Sequence, residues 1–384
     1  MKRTKRLFDA DPTTVRFDAT VLACQANGDV YEVVLDRTAF FPDEGGQPCD
    51  TGVLGSVEVS AVSEREGVIF HTVKHPLVVG AVVTGEILSE RRLRHMQNHT
   101  GEHILSAILH RHYGLHNVGF HLGKDDVTAD FDGELTAQEI AHVEMLANRI
   151  VCECHPVRGY YPEASELAHM EYRSKLELAE NVRIVEIEGV DRCACCAPHV
   201  SNTGEVGLIK ILQCVRYKGG VRIHLCCGYD ALAAFCAEHE QIRAICSALS
   251  VKHGEAHEGV ARLLEEHGRV RGECAALKRK LFDCKLAQIE QTEGNLCLFE
   301  EEDDPAVLRY FLNGAKEKCG GVCALFRGDD EKGYKYMIAS RYTDLRSMAG
   351  EINRAIFGRG GGSSEMIQGS CTATRAQICT YFQV

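Results

Sequence analysis

The chain has 384 residues and a formal net charge of −12, which is enough for about two or three domains with a substantial core. The acidic balance argues against a broadly basic nucleic-acid-binding surface, although one local basic face is sufficient for a transient RNA contact. Nineteen cysteines are scattered along a chain that has no apolar leader and no apolar run of membrane-spanning length. We therefore expect free thiols in a cytoplasmic protein rather than a disulfide scaffold.

Residues 1–90 are predicted to form a β-rich, barrel-like domain, because short runs of apolar residues alternate with polar ones. Val15–Val21 and part of Tyr31–Leu35 alternate as strands, and the Asn27–Gly28 pair between them is typical of a hairpin. The following segment carries acidic residues and two glycines directly before Gln47. We predict a tight loop there, which either brings backbone close to a ligand or is an ordinary surface turn.

Residues 91–229 are predicted to form a metal-binding α/β domain around one helix, since apolar residues between Leu93 and Ile108 recur in helical phase. His99 and His103 are four residues apart on that helix. This spacing places both imidazoles on one face, where they can reach a single ion. Two imidazoles do not complete a tetrahedral shell, so the remaining ligands must come from elsewhere in the chain.

A second pair of metal-binding residue types, Cys195 and His199, is also spaced by four. Pro198 argues against a helix at this place and favours a turn. One thiolate and three imidazoles suit a zinc ion. On residue chemistry alone the ligand set stays open. A His-x-x-x-His pair on an amphipathic helix is more often an ordinary core or surface pair than a pair of ligands, and adding the Cys-x-x-x-His pair only makes the two interpretations about equal. Three further residues are rival ligands: Cys193, Cys196 and His95.

Residues 230–299 are predicted to form a helical or coiled-coil linker, because nine residues follow a heptad seam with steps of three and four. These residues are Ala256, Val260, Leu263, His267, Val270, Cys274, Leu277, Leu281 and Cys284. Residues 300–384 are predicted to form a small α/β domain with a glycine-rich loop, which completes an α+β fold. In that loop Arg359, Gly360, Gly361 and Gly362 either cradle a phosphate of RNA or form a mobile turn.

Three segments, in this order, resemble the editing domain of alanyl-tRNA synthetase and of its free-standing relatives, the AlaX-type editing proteins. Thr38–Gln47 resembles the T-x-F-Y-P-E-x-G-G-Q signature of that family, with Phe41 and Asp43 as mild departures. His99–His103 matches its H-x-x-x-H motif. Cys195–His199 matches its C-x-x-x-H motif, although C-C-A-P-H stands where C-G-G-T-H is usual. The match covers nearly the whole chain.

The resemblance implies a zinc site made of His99, His103, Cys195 and His199. It implies hydrolysis of the ester that joins serine or glycine to alanine tRNA. It also implies that Thr38 bonds the serine hydroxyl and that Gln47 bonds the ribose or the ester. The tail is similar to the C-terminal domain of the synthetase, which predicts the long AlaX form. In that form we expect tRNA contact at the glycine-rich segment and a homodimer through the helical and C-terminal segments.

Three other functions share individual features with this sequence. A zinc protease carries H-E-x-x-H, but Thr100 follows the first histidine here, so the expected general base is misplaced. A DHH-type phosphoesterase has a similar companion domain, but this chain has no Asp-His-His run. A non-catalytic, zinc-containing tRNA-binding protein is the third alternative, because four protein ligands saturate a tetrahedral shell and leave no place for water.

Overall fold

The computed structural model describes residues 3–124, 126–174 and 182–384. They form two compact units, residues 1–242 and 243–384. Helices and sheets are mixed in both units, so the predicted α+β class is confirmed at this level. All 19 cysteines lie in the described part of the chain and are free thiols. Within the described residues no helix combines the length and the apolar character that a bilayer crossing requires.

The first unit begins with a closed six-stranded barrel. Two short elements, β1 (Lys5–Arg6) and α1 (Leu7–Ala10), precede the first barrel strand. The strands of this region are β2 (Arg16–Asn27), β3 (Val30–Leu35), β4 (Arg37–Thr38), β5 (Gly52–Leu54), β6 (Val57–Arg65), β7 (Val68–Val73) and β8 (Val82–Ile87). The order around the barrel is β2-β3-β7-β6-β5-β8, while β4 pairs with β1 outside it. Gly28 has φ of +63° in the hairpin between β2 and β3, as the Asn-Gly pair predicts.

The second part of this unit surrounds one long buried helix. Its elements are α2 (Ser89–Tyr113), β9 (Asn117–Leu122), β10 (Val127–Phe131), α3 (Ala137–Glu153), β11 (Val157–Tyr160), α4 (Ala164–Leu167), β12 (Ile184–Ile187), β13 (Asp191–Ala194), β14 (Ile209–Tyr217), β15 (Gly220–Cys227) and α5 (Tyr229–Leu249). The strands form two antiparallel sheets, ordered β14-β15-β10-β9 and β11-β12-β13. Because α2 packs against α3, β9, β13 and β15, both of its faces are covered.

The second unit combines a helix with a five-stranded sheet. Its elements are α6 (Ala256–Gln288), β16 (Leu296–Phe299), α7 (Pro305–Ala315), β17 (Val322–Asp329), β18 (Gly333–Ser340), α8 (Leu345–Ala355), β19 (Gly358–Gly362), β20 (Met366–Cys371) and α9 (Arg375–Phe382). The sheet order is β16-β17-β18-β20-β19, with β16 and β17 parallel and the other pairs antiparallel. The helical stretch thus ends at Gln288, and residues 296–299 already belong to the sheet.

The glycine-rich segment is not the loop that we predicted. Gly358–Gly362 forms the edge strand β19, which pairs with β20 in antiparallel register. A Cβ at Gly360 would lie 2.4 Å from the Tyr336 hydroxyl and 2.7 Å from the Gly369 Cα. Glycine at position 360 therefore allows β19 and β20 to lie close together beside Tyr336. It does not act here as the flexible backbone of a turn. Glycine content alone does not distinguish these two uses.

Candidate metal centre

Four side chains meet between α2 and the segment that follows β13. They are His99 and His103 from the helix and Cys195 and His199 from the segment, and their ligand atoms all lie within 4.8 Å of one another. Cys195 Sγ is 3.6 Å from His99 Nε2 and 3.4 Å from His199 Nε2. Atoms at the corners of a tetrahedron around a zinc ion are roughly 3.4 Å apart, given ligand distances of about 2.0–2.3 Å. The spacing and the donor types therefore fit a common ion.

Burial and backbone contacts hold both halves of this site. His99, His103 and His199 are each only 3% exposed. Cys195 N–H donates to the Arg183 carbonyl at 3.0 Å. The Arg183 guanidinium in turn donates to the carbonyls of Cys195 and Ala197 at 3.1 and 2.9 Å. This buried arginine thus fixes the non-helical segment that Pro198 predicts.

Two of the histidines are oriented by oxygen atoms behind them. His99 Nδ1 is 2.8 Å from Gln47 Oε1, and His199 Nδ1 is 2.9 Å from Thr100 Oγ1. The amide oxygen of Gln47 can only accept, so His99 carries its proton on Nδ1. That tautomer leaves the lone pair of His99 Nε2 free for an ion. Gln47, which the resemblance singled out, therefore contacts the metal centre through His99.

The electrostatics of the cluster distinguish Cys195 from the neighbouring thiols. Burial by itself raises the pKa of Cys195, but the charges of His99 and His199 and a hydrogen bond from His103 reverse this effect and place the pKa well below its ordinary value. Burial raises the pKa of Cys193 and of Cys196. Because a cysteine binds a metal as its thiolate, Cys195 suits this role better than Cys193 or Cys196 does.

The rival ligands from the sequence lie outside this group of four. Cys193 belongs to a second group, with His103 and Asp191, whose ligand atoms also lie within 4.8 Å of one another. Cys196 Sγ faces Gly45 in the loop before Gln47. His95 is 0% exposed, and neither of its ring nitrogens has a hydrogen-bond partner among the described residues. Burial, followed by the charges of nearby arginines, lowers the pKa of His95 to about 3.

Thr38 is buried inside the barrel region, where its hydroxyl has two partners. Thr38 Oγ1 is 2.8 Å from His71 Nε2, and it accepts the Phe40 N–H at 3.1 Å. His71 Nδ1 is 3.1 Å from the Val33 carbonyl, so Nδ1 donates there and Nε2 accepts from Thr38. These are the contacts of a structural hydroxyl, and the role of Thr38 in selectivity stays a prediction. By contrast, Gln47 Nε2 is buried without a partner among the described residues.

In the second unit, Arg359 and the glycines that follow it lie on β19. Arg359 lines a cleft of about 600 Å³, together with Arg327, Lys332 and Lys335. Phe357 also lines this cleft, and its side chain is 64% exposed. The cleft therefore combines positive charge with an exposed aromatic ring, although Arg327 also pairs with Asp303.

Sequence reasoning did not single out the residues that support the ligands. The hydroxyl of Thr100 contacts His199, which lies 99 residues away in the sequence, and the guanidinium of Arg183 contacts the carbonyl of Cys195, 12 residues away. The carboxylate of Asp191 faces His103. Thr100 precedes His103 by three residues, so helix geometry places these two on the same side of α2, and this spacing is a signal that could have identified Thr100. Nothing in the local pattern pairs Arg183 or Asp191 with the site.

Both family models and curated relatives relate this chain to tRNA synthetases. A model described as the threonyl and alanyl tRNA synthetase second additional domain matches residues 182–224, and one for class II (A) tRNA synthetases matches residues 9–91. Curated alanine–tRNA ligases also match. The one from Methanococcus maripaludis strain C5 is 28% identical over 98% of this chain and 43% of its own length. Those from Methanopyrus kandleri and Archaeoglobus fulgidus are 32% and 30% identical, over 74% and 96% of this chain and 33% and 42% of their own lengths.

The chain thus spans about two fifths, or less, of the length of these curated relatives. Among solved structures, RecJ in complex with Mg²⁺ from Thermus thermophilus aligns with 37% of this chain and 28% of its own, at 15% identity and a TM-score of 0.24. A similarity at that level supports no conclusion about fold or activity.

Proposed function

This chain is related to the alanine–tRNA ligases, and from that premise we propose that it is a hydrolase that removes wrongly attached serine or glycine from alanine tRNA. The observation that carries the proposal is the convergence of His99, His103, Cys195 and His199 on one point within the region related to those ligases. The name of the matching domain is shared by threonyl and alanyl synthetases, so an aminoacyl-tRNA is the natural substrate class.

The need for such a reaction follows from the chemistry of the two amino acids. Serine exceeds alanine by a single hydroxyl, and an alanine pocket rejects a molecule with one extra hydroxyl only weakly. A separate site can instead bind that hydroxyl and hydrolyse the wrong ester. Because an aminoacyl ester is already activated, this site must mainly position the ester and stabilise the developing negative charge.

We propose zinc as the ion, because a thiolate with three imidazoles is a zinc-type donor set. When bound, a zinc ion supplies Lewis-acid chemistry toward an ester carbonyl or a water molecule. Gln47 accepts from His99 Nδ1 through its oxygen, which leaves its Nε2 donor for the substrate. We assign to that amide a hydrogen bond to the ester or the ribose. A buried donor without a protein partner is expected where a substrate group completes the bonding.

The second unit is proposed to contact the tRNA through the cleft beside Arg359. Arg327, Lys332 and Lys335 can neutralise phosphates there, and Phe357 offers a surface on which a base can stack. We expect Arg359→Glu with Lys335→Glu to weaken tRNA binding and to lower its salt dependence. Hydrolysis of a short charged acceptor stem should stay unchanged in the same variant, because its metal centre is intact.

The decisive experiment compares purified protein on alanine tRNA charged with serine, glycine or alanine. We expect hydrolysis of the serine and glycine esters, loss of activity with a chelator and recovery with zinc. Bound tRNA without hydrolysis, in protein that carries one zinc, would instead support the non-catalytic zinc protein. Thr38→Val belongs to the same assay: an unchanged ratio of serine to alanine release would show that the role of Thr38 is limited to its hydrogen bonds with His71 and Phe40.

A further inference from the structure

The three histidines of the metal centre are supported by three different kinds of oxygen atom. An amide oxygen of Gln47 lies behind His99, and a hydroxyl of Thr100 lies behind His199. Behind His103 the neighbour is a carboxylate, with Asp191 Oδ2 at 3.5 Å from Nδ1. That distance lies at the outer limit of a hydrogen bond, and among the described residues the buried Nδ1 atom has no other partner. His103 is thus the histidine that faces a negative charge.

Asp191 is held firmly in this place. Its side chain is 4% exposed, and its two oxygens accept from Arg173 Nε and an Arg173 terminal nitrogen at 2.8 and 2.6 Å. The backbone of Arg173 is fixed in turn to β13, since its N–H donates to Arg192 at 2.8 Å and its carbonyl accepts from Ala194 at 2.9 Å. A planar guanidinium that donates to both oxygens of a carboxylate restricts the rotation of that carboxylate.

A second ion, bound by His103, Asp191 and Cys193, is the competing explanation of this cluster. One observation opposes it. Arg173 already occupies both oxygens of Asp191 with a permanent positive charge, which repels a further cation. The geometry suits a carboxylate that serves His103 better than a carboxylate that binds an ion directly.

We infer that Asp191 is the positioning residue for His103, and that Arg173 positions Asp191. The inference rests on the proposed metal centre. In this arrangement the carboxylate accepts the Nδ1 proton of His103, fixes the tautomer and directs the Nε2 lone pair to the ion. A carboxylate also makes the imidazole a stronger ligand than an amide or hydroxyl oxygen does. Of the three histidines, His103 is therefore the one whose affinity for the ion depends most on the group that accepts its Nδ1 proton.

The test is a zinc titration of metal-free full-length protein against a chromogenic chelator. We expect Asp191→Asn to bind zinc about 10- to 100-fold more weakly than the wild-type protein. Asp130→Asn is the matched control, because Asp130 makes the same two-pronged contact, at 2.7 and 2.8 Å, with Arg222, and within the described part of the chain no hydrogen bond or ion pair joins it to the four ligands. We expect this control to bind zinc as the wild type does. Asp191→Glu, which keeps the charge, should recover part of the affinity.

Each outcome has a separate meaning. Equal zinc affinity of the wild type and Asp191→Asn, with a lowered melting temperature in Asp191→Asn and Asp130→Asn alike, would show that Asp191 is only a structural ion pair. A second equivalent of zinc that Cys193→Ser abolishes would overturn the inference in favour of two ions. Wild-type protein without zinc affinity would refute the metal centre itself. If Asp191→Asn fails to fold, Arg173→Gln replaces it: a several-fold weaker affinity supports the inference, and an unchanged affinity contradicts it.

Discussion

Two helices of this chain, α2 and α6, have opposite relations to solvent. In α2 every residue from His95 to Leu109 is buried, including polar and charged ones. In the 33-residue α6 only Gly259 and Phe282 are buried among the described residues. Leucines of the heptad seam on α6, such as Leu277 and Leu281, are 66% and 56% exposed. Burial thus follows the surroundings of each helix rather than its apolar content.

The two helices also differ in how their polar side chains are bonded. A buried polar group normally has a partner, and Asn98 of α2 has two: it accepts the Cys227 N–H at 2.9 Å and donates to Asp230 at 3.1 Å. On α6 the charges pair with each other at the surface, as Arg269 and Glu273 do at 2.8 Å. Such exposed ion pairs contribute little to folding stability. Two of the candidate metal ligands are instead buried side chains of α2. The seam of α6 is left for association, and we propose a homodimer through it.

The largest expected effect is the loss of one ligand on α2. His103→Ala should lose its metal and its deacylation activity together. Several kcal/mol of transition-state stabilisation correspond to a rate loss on the order of a thousandfold. His110→Ala is the control, since His110 is exposed in the last turn of the same helix. Measured metal content that stays at one equivalent in His103→Ala would contradict the assigned ligand set.

The next effect concerns acid stability and another residue of α2. Burial lowers the pKa of His95 to about 3, whereas the unfolded imidazole titrates near its ordinary 6.5. Below pH 6.5 the unfolded state therefore binds a proton at this histidine that the folded state does not bind. The free energy of unfolding consequently decreases as the pH is lowered from about 6.5 to about 3. His95→Leu removes this proton uptake. We expect the wild type to lose about 3 kcal/mol more than His95→Leu between about pH 7 and about pH 4.5.

Urea unfolding at the two pH values, followed by far-UV circular dichroism because the chain has no tryptophan, measures this difference. The other histidines are common to both proteins, so their contributions cancel. Parallel loss of stability in the two proteins would mean that His95 accepts a proton in the folded state.

A pair of glycine substitutions tests the packing difference directly. A Cβ at Gly101 of α2 would lie 2.2 Å from Cys227 Sγ, whereas Gly268 of α6 has no atom within 4 Å of such a Cβ. Gly101→Ala should destabilise the protein by about 1–3 kcal/mol through overpacking. Gly268→Ala should stabilise it by about 0.5–1 kcal/mol, because alanine favours the helix. Urea midpoints that move in the same direction would refute the contrast.

The smallest expected effect is on self-association. Leu277→Glu places a charge on the exposed seam and should raise the dimer dissociation constant at least about tenfold, or roughly 1.4 kcal/mol. Arg279→Glu introduces the same residue on the opposite side of the helix and serves as the control. Sedimentation equilibrium measures both. A monomeric wild-type protein, or equal weakening by the two variants, would remove the seam from the interface.

Individual residues show how far sequence reasoning reaches in this protein. Thr136 and Glu139 have the sequence spacing of a capping box, and both reciprocal hydrogen bonds of such a box are present at the start of α3. Spacing also placed His99 and His103 on one face of α2. The glycine-rich segment was predicted wrongly, because the strand partner that demands glycine, Gly369, and the ring of Tyr336 are not adjacent in sequence. Ligand assignment from residue chemistry alone had left Cys193, Cys195 and Cys196 as equals.

The sequence by itself determined the features that depend on residues within one helical turn or one hairpin of each other. These are the histidine spacing, the helix cap and the Asn-Gly turn, whose geometry follows from backbone dihedrals and side-chain reach. The family resemblance had already pointed to Cys195 as the thiol that joins the histidines, and only the tertiary structure decided which oxygen stands behind each ring. Those choices depend on burial and on partners such as Gln47 and Asp191, at 52 and 88 residues from His99 and His103. Such distant contacts arise when sheets and helices pack, because packing sets the local dielectric and the neighbouring charges that control each group.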